Sequence, residues 1–180
     1  MDAERFTYAL NGLLPKDVRI VSSSEAAEKF HARFDATARS YSYYFICGRA
    51  AMPYENRYAM QLWRRPDIKL LNAYASLLHG ETDCSLFASA KDLIFSRGSG
   101  SKYRNIKNAY FFYEGDKLIF EITANAFFWK MVRSILGTLL FYEQRKLSAI
   151  EFDAILKEGL RKNAGTTIPP NGLFLRHVEY

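Results

Sequence analysis

Apolar positions recur along this chain with two different periods. Phe6, Ala9, Leu10 and Leu13 stand at helical spacing within residues 2–14, and Pro15 closes that segment. Val18 and Ile20 share one face of Asp17–Val21, which predicts a short strand. A longer alternation covers Arg39–Cys47. It puts Tyr41, Tyr43, Phe45 and Cys47 on one face and Ser40, Ser42, Tyr44 and Ile46 on the other. Helical spacing returns after Pro66-Asp67, with Leu70, Leu71, Tyr74, Ala75 and Leu78 on one side until Gly80. Lys102–Tyr113 and Lys117–Ala124 flank Glu114-Gly115-Asp116 and predict a hairpin. An apolar helix is expected from about Ala126 to Tyr142, and Ser148-Ala149-Ile150-Glu151 is a capping box for another ending near Gly159. Residues 161–171 form a Lys/Asn/Gly/Pro-rich loop before a closing strand over Gly172–Tyr180. Helices and strands mix without a βαβ rhythm, so the expected class is α+β, a mainly antiparallel sheet flanked by helices.

Composition narrows the function classes. With 49% hydrophobic and 16% aromatic residues, the 180-residue chain is too apolar for a disordered protein and long enough for one domain, or one plus a fragment of another. Cys47 and Cys84 are too few for a disulfide scaffold, which favours a reducing, cytoplasmic setting. The first residues lack the basic-then-apolar order of a signal peptide. The longest greasy run, Ile135–Tyr142, falls short of the roughly 20 residues of a membrane span, so no membrane partner is expected. A net charge of +6 and a pI near 9.3, with many aromatic residues, favour a nucleic-acid partner.

The chemistry available is restricted. His31, His79 and His177 stand apart from one another and from both cysteines, so no metal-ligand spacing exists. The dinucleotide fingerprint is missing, and Arg97–Lys102 lacks the glycine spacing of a phosphate loop, which leaves it as a mobile basic loop. Any reaction must proceed without metal or cofactor, through carboxylates, arginine and tyrosine. Arg133 is one cation within the apolar run Met131, Val132, Ile135, Leu136. A charge there is costly unless paired, which hints at a carboxylate partner; snorkelling to solvent is the alternative.

Several segments, in order and spacing, carry a resemblance. They are Ala9-Leu10-Asn11, Leu14-Pro15-Lys16-Asp17-Val18, Phe30-His31-Ala32-Arg33-Phe34 and Ala38-Arg39-Ser40-Tyr41-Ser42-Tyr43 in the first half. Ala124-Asn125-Ala126-Phe127, Met131-Val132-Arg133-Ser134-Ile135-Leu136-Gly137 and Gly172-Leu173-Phe174-Leu175 complete the set. Over essentially the whole chain this resembles the bacterial tRNA pseudouridine synthase A family. The resemblance implies isomerisation of uridine to pseudouridine in the anticodon arm of tRNA. The base leaves C1′, turns and rejoins through C5 without a cofactor, in a cytoplasmic homodimer. By this match Tyr41 packs against the target base, Arg133 pairs with the catalytic aspartate, and Leu173 lies near the base. His31 and Arg33 belong to a basic segment close to the RNA. Lys102, Arg104, Lys107 and Arg97 are candidate phosphate contacts. Each has a plainer reading: Tyr41 and Leu173 as core, Arg33 as a surface ion-pair partner, and the other cations as a solvated face.

One part of the pattern is absent. The family aspartate lies in a Gly-Arg-Thr-Asp motif that does not occur here. Gly80-Glu81-Thr82-Asp83 is the nearest string, but it follows the helix over 67–79 and carries Glu81 in place of the arginine. The expectation is therefore residues 1–25 as a remnant of an N-terminal catalytic domain and 26–180 as the C-terminal synthase domain. Such a chain lacks its nucleophile and is inactive alone. A non-catalytic RNA-binding or dimerising remnant is the alternative.

Overall fold

The computed structural model describes residues 2–89, 91–92 and 101–180, so Arg97 and most of the basic loop expected around it lie outside the described residues. The chain divides into two units, Met1–Asp35 and Ala36–Tyr180.

In the first unit, helix α1 spans Ala3–Leu13. The Asp2 carboxylate accepts from the Arg5 amide at 2.9 Å and caps its start. The strand expected over Asp17–Val21 does not form. The Asn11 side chain donates to the Ile20 carbonyl and accepts from the Ile20 amide, both at 2.8 Å, so a side chain takes the place of a neighbouring strand.

The second unit is a six-stranded sheet with helices packed on one face. Its elements are β1 (Ala38–Cys47), β2 (Met60–Leu62), α2 (Ile68–Ser76), β3 (Gly80–Asp83), β4 (Tyr103–Glu114), β5 (Lys117–Ala124), α3 (Met131–Gln144), α4 (Ala149–Glu158) and β6 (Leu173–Glu179). The path runs β2-β1-β5-β4-β3, and β6 joins β1 along the edge that β2 also occupies. Only the β1–β2 pairing is parallel among those described. The expected α+β class, with its mainly antiparallel sheet, is what forms.

The β4–β5 hairpin turns where expected, with Glu114 opposite Lys117 and Gly115 at φ +62°, a conformation glycine adopts without a Cβ penalty. Inward residues Tyr43, Phe45, Phe111, Leu118, Phe120 and Ile122 meet Leu71, Tyr74, Leu136, Leu139 and Phe152 from the helices. Each such large side chain contributes about 2–3 kcal/mol by leaving water. The capping box at Ser148 and Glu151 is formed in full, and Gly159 ends α4 at φ +63°. β2 and β3, three and four residues long, are too short for alternation to reveal.

Helix α3 begins five residues later than expected. Asn125 Oδ1 accepts from the amides of Asn105 and Ala126 and holds that stretch to β4. Lys130 then turns the chain at φ +59° before Met131. At its far end Glu143 is 4% exposed. It accepts two hydrogen bonds from Arg64 and one from the Asp67 amide, joining α3 to the start of α2.

Arg49 ties the segment after β1 to the hairpin turn. Its guanidinium bonds both Glu55 oxygens at 2.8 Å and also pairs with Asp116. These bonds, with one from the Met52 amide, hold the Glu55 carboxyl at about 2. A folded value below the unfolded one means the native state binds fewer protons. This contribution is complete above the ordinary carboxylate value of about 4.3 and is lost as pH falls toward 2. Glu55→Gln should therefore lower the urea midpoint at pH 7 and flatten its decline between about pH 4.5 and 2; parallel acid limbs for the two proteins would contradict this.

Candidate active site

Arg133 lies in the first turn of α3, half-buried, with its Nε donating to the Ile168 carbonyl at 2.6 Å. The carbonyl that holds it belongs to the 161–171 loop, and that loop is fastened to α3 at several points. The Gly165 amide donates to Thr138 Oγ1 at 3.0 Å, Tyr142 Oη to the Asn163 carbonyl at 2.7 Å, and Arg161 to Ser134 Oγ at 2.6 Å. Gly137 and Gly165 allow this closeness. A Cβ at Gly137 would overlap the Thr166 carbonyl, and one at Gly165 would stand 2.8 Å from the Gly137 carbonyl carbon.

Among the described residues no carboxylate lies within ion-pair distance of Arg133, and its Nη atoms make no hydrogen bond. The carboxylate partner hinted at by its apolar setting is not among them. One bond from a charged donor is worth about 1.5–3 kcal/mol and fixes the guanidinium plane while leaving the Nη edge unengaged.

Tyr43 extends the same construction to the sheet. Its hydroxyl donates to the Pro169 carbonyl at 2.7 Å, and it lies opposite Leu173 in the β1–β6 register. Burial pushes the Tyr43 phenol up to about 12, against the opposing Arg133 charge and a Gly172 hydrogen bond, so it stays a proton donor at neutral pH. The periodicity placed Tyr43 on the right face but gave no sign of this bond, which depends on a loop 126 residues away.

Tyr41 shares that face two residues earlier, opposite Leu175. Phe127 meets its ring edge-on, at 5.1 Å between centroids and 88° between planes, and its hydroxyl has no partner among the described residues. Leu173 packs against the core, and its amide donates to the Pro170 carbonyl at 2.9 Å. Arg133 and Leu173 are thus connected through Tyr43 and the 168–170 segment, and Tyr41 lies two residues before Tyr43 on the same strand face. A separate cavity of about 500 Å³, walled by Tyr44, Tyr58 and Phe174, opens on the opposite sheet face and excludes them.

The remaining candidates are placed elsewhere. Lys102 pairs with Asp83 at 2.6 Å, and Lys107 with Glu179 at 2.6 Å. Arg104 lays its guanidinium 3.8 Å from the Phe128 ring centroid, and burial lowers its pKa. His31 and Arg33 lie in the first unit, where His31 Nδ1 accepts from the Arg33 amide at 3.2 Å and its own amide donates to Asp35. Asp83, in the string resembling the family motif, sits on edge strand β3. Burial raises its carboxyl, but bonds from Lys102 and Ser85 outweigh that and leave it below the usual range. His79 joins the end of α2 to β4, its Nε2 accepting from the Ala109 amide at 3.0 Å.

The α+β fold with its mainly antiparallel sheet agrees with what comparison finds. A family model described as tRNA pseudouridine synthase matches residues 74–180, and the chain belongs to that family. It is 48% identical over 180 residues to a protein named tRNA pseudouridine synthase A from Treponema denticola, covering 100% of this chain and 65% of that one. Identity to the Treponema pallidum protein of the same name is 42%, covering 94% and 62%. For Borreliella afzelii it is 39% over 173 residues, covering 96% and 68%. The chain thus spans less than two thirds of the first two relatives' length.

Proposed function

We propose that the Ala36–Tyr180 unit supplies the arginine, tyrosine and leucine of a tRNA pseudouridine synthase site, and that the nucleophilic carboxylate comes from outside these 180 residues. The observation that carries this reading is Arg133: a half-buried guanidinium oriented by Ile168, with no carboxylate beside it among the described residues. Uridine isomerisation breaks the N1–C1′ bond and forms a C5–C1′ bond. C5 loses a proton, N1 gains one, and no oxidant or cofactor is consumed. This needs a target base out of its stack. Tyr41, steadied by Phe127, offers the uracil a ring face, and Leu173 closes the apolar side. Arg133 holds an incoming carboxylate by its Nη edge, in the geometry that favours paired arginine–carboxylate bonds. Tyr43 holds the Pro169 carbonyl and so positions the loop that aims Arg133. His31 and Arg33 contact RNA phosphates, and the working protein is a cytoplasmic homodimer. Lys102 and Arg104 serve as phosphate contacts only after leaving their present partners.

Electrophoretic mobility shifts test the RNA reading. The chain should retard tRNA, with affinity falling steeply as salt rises. Identical behaviour toward tRNA and a neutral polymer would contradict it.

A further inference from the structure

Residues 127–130 join β5 to α3, and their four side chains are divided between anchors and projections. Phe127 meets Tyr41 edge-on, and the buried Phe128 lies under the Arg104 guanidinium. With both anchors set, Trp129 is left 67% exposed. Lys130 follows in the left-handed region at φ +59°, a conformation that costs a side-chain-bearing residue about 1 kcal/mol. Its Nζ stands 3.9 Å from the Trp129 ring centroid, and it makes no ion pair among the described residues. The ammonium lies over the indole, and most of the ring stays open to solvent. A large exposed ring backed by an unpaired cation, on a segment pinned to Tyr41, matches how proteins hold unpaired nucleotides: the base stacks on the ring and the phosphate meets the cation.

We propose that Trp129 stacks on an unpaired RNA base adjoining the target uridine, with Lys130 as the neighbouring phosphate contact. This rests on the RNA reading above.

The chain has two tryptophans, so Trp63→Phe leaves Trp129 as the sole indole emitter. That protein is titrated with an anticodon-arm RNA hairpin and, separately, with inorganic polyphosphate. The hairpin should quench the emission to saturation, and polyphosphate should not. Trp129→Ala should weaken hairpin binding about tenfold, while Trp129→Phe should keep most of it. Lys130→Ala should reduce the salt slope by about 0.7. Because Trp129 is exposed, Trp129→Ala should leave the melting temperature unchanged. A hairpin that binds by mobility shift without altering Trp129 emission, and binds Trp129→Ala equally well, overturns the Trp129 assignment alone. No binding to the unmodified chain overturns the RNA reading itself, and this proposal with it.

Discussion

Gly137→Ala is expected to destabilise the Ala36–Tyr180 unit by at least about 3 kcal/mol, lowering its melting temperature by about 6–12 °C. In an ordinary helix interior the same change gains about 1 kcal/mol, because alanine loses less backbone freedom than glycine. Here the new methyl would overlap the Thr166 carbonyl oxygen and lie 2.9 Å from its carbon. Backbone cannot rotate aside as a long side chain can, so α3 and the 161–171 loop must separate. That separation strains the Gly165–Thr138 bond and the Ile168 carbonyl that orients Arg133. Activity in any protein carrying this domain should fall with stability. Differential scanning calorimetry checks the first effect, and a melting temperature equal to or above that of the unmodified chain would contradict the packing argument.

Arg133→Ala is expected to cost at least about a thousandfold in turnover once this domain is joined to a segment carrying the Gly-Arg-Thr-Asp motif. The stability cost should be small by comparison, about 1.5–3 kcal/mol for one charged hydrogen bond. Arg133→Lys should fail nearly as badly. An ammonium cannot bond Ile168 through one nitrogen while presenting two parallel donors to a carboxylate. The readout is tritium released from tRNA labelled at uridine C5, with circular dichroism to show that each variant is folded. A folded Arg133→Ala protein retaining more than a tenth of the rate would remove Arg133 from the mechanism.

Much of the fold was legible because local chemistry and global packing agree. Gly115 sits where a two-residue hairpin loop needs positive φ, and Ser148 with Glu151 satisfies the first amides of α4 by itself. The misreadings arise where a distant or side-chain partner decides. Asp17–Val21 alternates like a strand, but Asn11 satisfies Ile20. Ala126–Lys130 is apolar like a helix start, yet Asn125 binds it to β4 and Lys130 reverses it.

The site was legible in part for a similar reason. Arg133 and Tyr41 stand out by type and setting, whereas the bond that aims Arg133, to Ile168, and the one that ties Tyr43 to Pro169 join residues far apart in sequence. Trp129 and Lys130 lie between the Ala124–Phe127 and Met131–Gly137 motifs. An exposed tryptophan beside lysine was the available signal, hidden because aromatic neighbours made the stretch resemble the body of a helix.

The absence of the nucleophilic carboxylate from these 180 residues is tested most directly by assaying the purified chain alone on C5-tritiated tRNA, beside the same chain supplied with the Gly-Arg-Thr-Asp segment, fused or in trans. The expected result is no tritium release from the chain alone and release from the supplemented protein, which also shows that the domain is correctly folded. Tritium release by the unsupplemented chain would contradict the account and make one of its own carboxylates, Asp83 first, the nucleophile.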